Sequence, residues 1–412
     1  MITSTAHDAL APKKDDFEPA GIGDERIVLA FDHLPDGQNC LASSLQRRLH
    51  HYGHQISEPM LFGISSGLGF VYWKQKGMPA PFVGGMNAGK FPGIVGRAVE
   101  RLGGQYKVLR TKSTARAHEH LKATLRAGQP AMVLADMAYL DHLSVGEDEH
   151  FGQHMLLVYG IDEPADEAYV SDRFANTITI PLTKLQQARA SEYQPFPARN
   201  QMLRLSLPDR LAPLESILPL ALRENLDFMF NPPITNFGLK GILKWRKMLA
   251  RYPQMIPDPA QLVMALRDHY VFIEIGGTGG ALFRRMYSDF LQEAAHVLGE
   301  SNLATAAHDY AEIAKLWTAI ADAFLPDYLP NLRSIRELHW KTNQELERGV
   351  PDAVERARER LGRQPNLIRR AAREDIEDFP AILEQVRGLL KRVHAMESLA
   401  LERVAASRAV GF

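Results

Sequence analysis

At Pro208 the rhythm of the sequence changes, and that change limits the fold more than any other feature. Before it, short apolar runs with the two-residue alternation of strands are interleaved with segments of helical period. After it, long amphipathic segments follow one another over 213–229, 238–250, 259–272, 280–298, 303–323, 331–348 and 376–405. Breaks at Asn231-Pro232-Pro233, Gly276-Gly277-Thr278-Gly279-Gly280 and Leu325-Pro326-Asp327 separate them. The pattern predicts an α+β domain followed by an all-helical one, and 412 residues exceed what a single core usually organises. The expected division is a disordered lead-in over 1–24, an α+β domain over 25–207 and a helical domain over 208–412. The lead-in, MITSTAHDALAPKKDDFEPAG, has no apolar centre of the kind a secretory signal needs.

In the first half, strands are predicted at 27–31, 67–73, 106–110, 131–134, 154–160, 168–171, 177–180 and 202–206. Helices are predicted at 40–52, 58–64, 94–102, 115–126 and 183–190. The turn composition of Asp162-Glu163-Pro164-Ala165-Asp166 joins two of the strands into a hairpin.

Charge and cysteine usage narrow the function. Lys plus Arg (48) nearly cancels Asp plus Glu (49), so nothing points to nucleic acid or an anionic membrane as a partner. The longest apolar stretches, such as Met155–Tyr159 and Ile217–Leu222, are far shorter than a membrane-spanning helix. The chain has one cysteine and so no intrachain disulfide, which makes a reducing, cytoplasmic setting the default. There is no internal repeat, and charge runs such as Arg356–Arg360 and Arg369–Glu374 read as solvated helix faces.

That one cysteine, Cys40, follows the polar turn Pro35-Asp36-Gly37-Gln38-Asn39 and opens a predicted helix. Unpaired N–H groups at a helix N-terminus favour a thiolate, and with Gln38 they are candidate donors to an oxyanion. His154 begins one strand of the hairpin and Asp172 ends the other. A hairpin centred near residue 163 sets them face to face, with Cβ atoms about 4.5–5.5 Å apart. The carboxylate then holds one imidazole nitrogen and the other takes a thiol proton. A slip of one residue would put them on opposite faces. Read singly, the cysteine is more often a small buried hydrophobe and the histidine more often structural or exposed.

The segments Asn39–Gly53, Ser57–Gly63, Gly67–Trp73, Phe151–Asp162 and Val170–Arg173 resemble the N-terminal domain of the butirosin biosynthesis BtrH-like acyltransferase family. Asn236–Gly241, Gly276–Tyr287 and the run from Phe290 resemble the helical domain of unknown function that usually follows it. The resemblance implies a papain-like fold, with Cys40, His154 and Asp172 at the catalytic positions. It also implies transfer of an acyl group from a carrier-protein or CoA thioester to an amine, an aminoglycoside in the known case. No cofactor is then bound; the donor is a phosphopantetheine-linked substrate, and the partners are an acidic acyl carrier protein and an amine-bearing small molecule. Members differ in substrate, and the family more commonly has glycines at Ser65-Ser66. The same triad fits a thioesterase or amidase, and a catalytically silent binding or scaffold protein is the third reading.

Other features are weighed beside these. Gly63-Ile64-Ser65-Ser66-Gly67 has the G-x-S-x-G spacing of a nucleophile elbow, but in reversed strand–helix context, so Ser65 and Ser66 are expected to line the cleft instead. The glycine-rich turn before Arg284 and Arg285 is a candidate phosphate cradle for the carrier's arm, or simply a tightly packed turn. Lys240, Lys244, Arg246, Lys247 and Arg251 form a possible docking face for an acidic carrier. Asp141, Glu147, Asp148 and Glu149 form an acidic approach to His154. The spacing of His142, His150 and His154 does not resemble a zinc site, and no metal is expected. The long helices leave a homodimer possible.

Overall fold

The computed structural model describes residues 23–74, 78, 80–146 and 149–411. The lead-in expected over 1–24 therefore lies, apart from Gly23 and Asp24, outside the described residues. The first half runs β1 (Arg26–Val28), α1 (Cys40–His51), α2 (Glu58–Ile64), β2 (Leu68–Trp73), β3 (Phe82–Met86), α3 (Gly93–Arg101), β4 (Gln105–Leu109), α4 (Thr114–Arg126) and β5 (Ala131–Ala135). It continues through β6 (His154–Asp162), β7 (Glu167–Ser171), β8 (Ile178–Pro181), α5 (Leu182–Ala190) and β9 (Met202–Ser206). The second half is helical: α6 (Leu214–Phe230), α7 (Gly238–Leu249), α8 (Tyr252–Met255), α9 (Pro259–Glu274), α10 (Arg284–Leu298), α11 (Ser301–Phe324), α12 (Pro330–Glu347), α13 (Ala353–Glu374) and α14 (Phe379–Ala405). The chain is thus α+β, as its patterning predicts: a β-rich region over about 26–206, then an all-helical one. No helix among the described residues is long and apolar enough to cross a membrane.

Two compact units emerge, and each draws on both halves of the chain. One comprises residues up to Ile56, Gln105–Ser206 and Glu345–Arg358; the other comprises Ser57–Gly104, Leu207–Gln344 and the chain from Glu359 on.

The first unit is built on an antiparallel sheet of order β4-β9-β5-β6-β7-β8, with β1 also pairing β6. Residues 154–158 of β6 are all buried, which explains why this strand reads as an apolar run rather than an alternation. One face packs Val133, Leu156, Val158, Ala168 and Val170 against Leu121 and Leu125 of α4 and Leu182, Leu185 and Ala188 of α5. α1 lies against β6, and its Ser44 hydroxyl donates to the Met155 carbonyl at 3.5 Å.

The returning segment 345–358 belongs to this unit by its contacts. Leu346 packs on the sheet core, the Ala175 N–H donates to the Glu347 carbonyl at 3.0 Å, and Arg173 pairs with the Glu347 carboxylate at 2.9 Å. Leu346→Ala is expected to destabilise the first unit by about 1–2 kcal/mol, since only part of the side chain is buried. A lowered urea midpoint, followed by hydrogen exchange in β6 and β7, checks this.

In the second unit Phe70 of β2 sits 5.9 Å from both Trp245 and Trp317, ring centre to ring centre, and all three are buried. Gly63 lets α2 approach α10: a Cβ there would fall 1.9 Å from a ring carbon of Phe290. Three elements escape the sequence reading, the short α8 among them. In β3, Phe82-Val83-Gly84-Gly85-Met86 carries a glycine pair that hides its strand character. In α13, charged residues crowd out an apolar stripe and Pro365 interrupts the pattern.

Candidate active site

α1 starts at Cys40 because Asn39 caps it: the Asn39 side chain accepts from the N–H groups of Leu41 and Ala42, both at 3.1 Å. Cys40 is therefore the first helical residue, half-buried, with its own N–H left over by helix geometry. The turn before it is tight, since a Cβ at Gly37 would meet that of Ser43 at 2.7 Å. Arg47, on the same helix, ties the turn down by donating from Nε to the Leu34 carbonyl at 2.7 Å.

His154 is the first residue of β6, paired with Ala135 of β5, and Asp172 follows the last residue of β7. Direct opposition of the two is not what the sheet does. Next to the turn the hairpin pairs Asp162 with Glu167 and Gly160 with Tyr169, a register that would carry Asp172 to the face opposite His154. A β-bulge between Val158 and Gly160 shifts the pairing by one, to Val158 with Val170 and Leu157 with Ser171. Asp172 then continues the strand opposite Leu156, diagonal to His154 and on its face. The expected hairpin register is corrected, and the expected meeting of side chains occurs through the bulge.

His154 Nε2 donates to Asp172 Oδ2 at 2.8 Å, with both residues buried. The Cys40 thiol is hydrogen-bonded to the same imidazole. Because Asp172 occupies Nε2, the nitrogen that serves Cys40 is Nδ1. Burial by itself would lower the affinity of His154 for a proton, but its interactions with Asp172 and Cys40 outweigh that and raise its pKa to about 10. Burial likewise pushes the Asp172 carboxyl up, and the charge of His154 with hydrogen bonds from His142 and His154 overcomes that and holds it well below the ordinary carboxylate range.

Two further histidines surround this carboxylate. His142 Nε2 bonds the same Oδ2 at 3.1 Å, and Asp172 Oδ1 accepts from the Arg173 N–H at 2.7 Å. His33 holds the neighbouring chain, with Nδ1 at 2.8 Å from Ser171 Oγ and Nε2 at 2.9 Å from the Phe174 carbonyl. Sequence spacing points to neither, because both come from irregular segments that only the fold brings to the end of β7. Among the described residues no cluster of three His, Cys, Asp or Glu is disposed to hold a metal ion.

Residues 39–173 match the family described as butirosin biosynthesis protein H, N-terminal, and residues 183–339 match a domain of unknown function (DUF4872). Residues 39–173 thus carry the N-terminal domain of that family, and the domain of unknown function follows it. The first match opens on the residue that caps Cys40 and closes one residue beyond Asp172, so the family's N-terminal region contains all three side chains. No curated protein matches the chain.

The other residues expected to serve this family's chemistry are placed differently, and three expectations are corrected. Ser65 is fully buried, its hydroxyl donating to the Phe62 carbonyl at 2.6 Å; Ser66 is buried too, donating to the Ala221 carbonyl at 3.0 Å. Both follow directly on α2, buried and with their hydroxyls spent on backbone carbonyls. Arg284 is 0% exposed, its guanidinium donating to both Glu397 oxygens (2.8 and 3.1 Å) and to the carbonyls of Gly69 (3.0 Å) and Leu282 (2.8 Å). It is a strut of the second unit, not a phosphate ligand.

Arg285 stays half-exposed and donates to Thr318 Oγ1 at 2.8 Å. The glycine-rich turn already holds an anion of its own: Glu274 Oε1 accepts from the Ala281 N–H at 3.1 Å, and burial raises the Glu274 pKa. Of the acidic approach, Asp141 pairs with Arg358 at 3.1 Å, while Glu147 and Asp148 lie outside the described residues. Gln38, next to the Asn39 cap, is exposed.

Arg284→Met strands the Glu397 carboxylate in a fully buried site and is expected to cost about 3–5 kcal/mol in an unfolding titration. Pairing it with Glu397→Met should recover part of that loss.

Proposed function

We propose that the chain is an acyltransferase of antibiotic biosynthesis that moves an acyl group from a thioester to an amine through an acyl-enzyme on Cys40. The observation that carries the reading is a thiol at the first residue of a helix, bonded to an imidazole whose other nitrogen is held by a buried carboxylate. The family's description, which names a protein of butirosin biosynthesis, supports the biosynthetic setting. The strand-borne histidine facing a helix-borne cysteine is also the arrangement a papain-like domain requires.

In the proposed reaction the proton shared by Cys40 and His154 rests on the imidazole at Nδ1, and the sulfur attacks the thioester carbonyl. The oxyanion is met by the Cys40 N–H and the side chain of Gln38. Collapse expels the donor thiolate, which leaves with the proton from His154. The amine then attacks the Cys40 thioester, His154 accepts its proton, and the second collapse returns the Cys40 sulfur and releases the amide. Exchange between two thioesters is nearly balanced in free energy, whereas aminolysis is downhill, so the acceptor drives the cycle. The donor is proposed to be a phosphopantetheine thioester on an acidic acyl carrier protein, with CoA as the simpler analogue, and the acceptor a small-molecule amine.

Incubation with acyl-CoA or acyl-pantetheine, with and without added amines, tests the reading. It predicts amide formation that depends on Cys40. Free acid at the same rate whether or not amine is present would instead make the protein a hydrolase, and no thioester consumption at all would remove the enzymatic reading.

A further inference from the structure

Asp172 Oδ2 accepts two imidazole N–H donors, from His154 at 2.8 Å and from His142 at 3.1 Å. Each histidine spends Nε2–H on this oxygen, so the tautomer of each is fixed with Nδ1 as the remaining nitrogen. For His154 that nitrogen faces Cys40. For His142 it is buried and has no hydrogen-bond partner.

A buried imidazole with one nitrogen unsatisfied calls for an explanation. The surroundings hold it in place nonetheless. His142 lies on a single 3-10 turn, Asp141–Leu143, closed by Ser144 in the left-handed conformation (φ 50°), and its ring stands edge-on to Phe174 at 5.8 Å. From the other direction His33 fixes Ser171 and Phe174, the residues on either side of the Asp172-Arg173 pair.

We propose, resting on the acyltransferase reading, that His142 is a positioning residue. It locks the Asp172 carboxylate with Oδ2 turned to His154, so that the His154 ring stays with Nδ1 at Cys40. Without the second donor the carboxylate keeps only the Arg173 N–H on Oδ1 at 2.7 Å and the His154 ring itself on Oδ2, so nothing but the ring holds Oδ2 in place. The His154 ring then loses its fixed orienting charge. The charged and titratable groups around this oxygen are His154 with Cys40 beyond it, His142, and His33 with Arg47 near it; the Asp141–Arg358 pair adjoins His142.

The test compares His142→Phe, which keeps the ring shape and removes the donor, with His142→Gln, whose side-chain amide reaches the position of Nε2. The first measurement is the titration of the His154 ring by NMR on protein with labelled histidine, which requires no substrate. In wild type the ring should stay protonated well above the ordinary histidine range. In His142→Phe the midpoint should fall by about one unit or more, and in His142→Gln it should return most of the way. The second measurement is turnover with acyl-pantetheine and an amine. It should drop about 10–100-fold in kcat for His142→Phe, with KM little changed, and recover in His142→Gln.

A merely structural His142 would lower the unfolding midpoint while leaving the His154 titration where it was, and that result overturns the proposal. Loss of Cys40-dependent turnover in wild type, with the titration shift intact, would instead remove the acyltransferase reading and leave the positioning role standing.

Discussion

Cys40→Ala should give a folded protein with no measurable transfer activity. The loss in kcat should be at least about 10⁴-fold, because in this scheme no other group can carry the acyl chain and removing the nucleophile from a concerted set costs nearly as much as removing the whole set. Folding should hardly notice. The side chain is half-buried, alanine is the best helix former, and the Asn39 cap that starts α1 is untouched. An unfolding midpoint within about 1 kcal/mol of wild type is expected. Cys40→Ser keeps the shape but substitutes a far weaker acid, and it should be inactive as well. Turnover and urea unfolding measured on the same preparations separate a chemical loss from a structural one. Wild-type turnover in Cys40→Ala would end the thiol mechanism.

Asp172→Ala should damage both stability and activity. It leaves the Nε2–H groups of His154 and His142 buried without their acceptor, and breaking a buried hydrogen-bonded charge pair costs about 3–5 kcal/mol. Activity should fall by about 10³–10⁴, since nothing then fixes the His154 tautomer. Asp172→Asn keeps an oxygen for one of the donors and should reduce activity less than loss of the thiol does.

The stability deficit of Asp172→Ala should also depend on pH, in a direction the two titrating groups fix. The Asp172 carboxyl has its affinity for protons lowered by folding from an ordinary value of 3.8. Its contribution is therefore present above that value and is lost as pH falls toward the folded-state one. His154 is raised from 6.5 to about 10, so its contribution is fully present below 6.5 and is lost as pH climbs through about 10. The difference between wild type and Asp172→Ala should be widest between 3.8 and 6.5 and should shrink toward either extreme. Urea midpoints taken on both sides of that window check it.

Much of the architecture was legible because local rules decide it. The polar turn ending in Asn39 marks the start of α1, and the capping bonds are the physical reason. The long periodic segments after Pro208 became helices for the reason amphipathic sequences do. What escaped depends on partners remote in sequence. The bulge beside Tyr159, which returns Asp172 to the face of His154, is marked in the sequence only by Gly160 at the end of an apolar run. Arg284 looked like an anion ligand at a helix start because only the fold supplies Glu397, 113 residues away, to consume it. Ser65 and Ser66 looked like loop residues next to glycines, yet the Ser65 hydroxyl closes the end of a buried helix and that of Ser66 reaches the Ala221 carbonyl of α6. His142 and His33 are single polar residues in irregular segments, and no periodicity announces that both converge on the end of β7.

A thioester bond between the acyl group and Cys40 is the intermediate on which the whole cycle turns. Brief exposure of the protein to acyl-pantetheine without amine, followed by peptide mass spectrometry, should find the acyl mass on the peptide carrying Cys40. The adduct should disappear when an amine is added and be absent from Cys40→Ala. Thioester consumption with no adduct on Cys40, or with the acyl group on another side chain, would contradict the account.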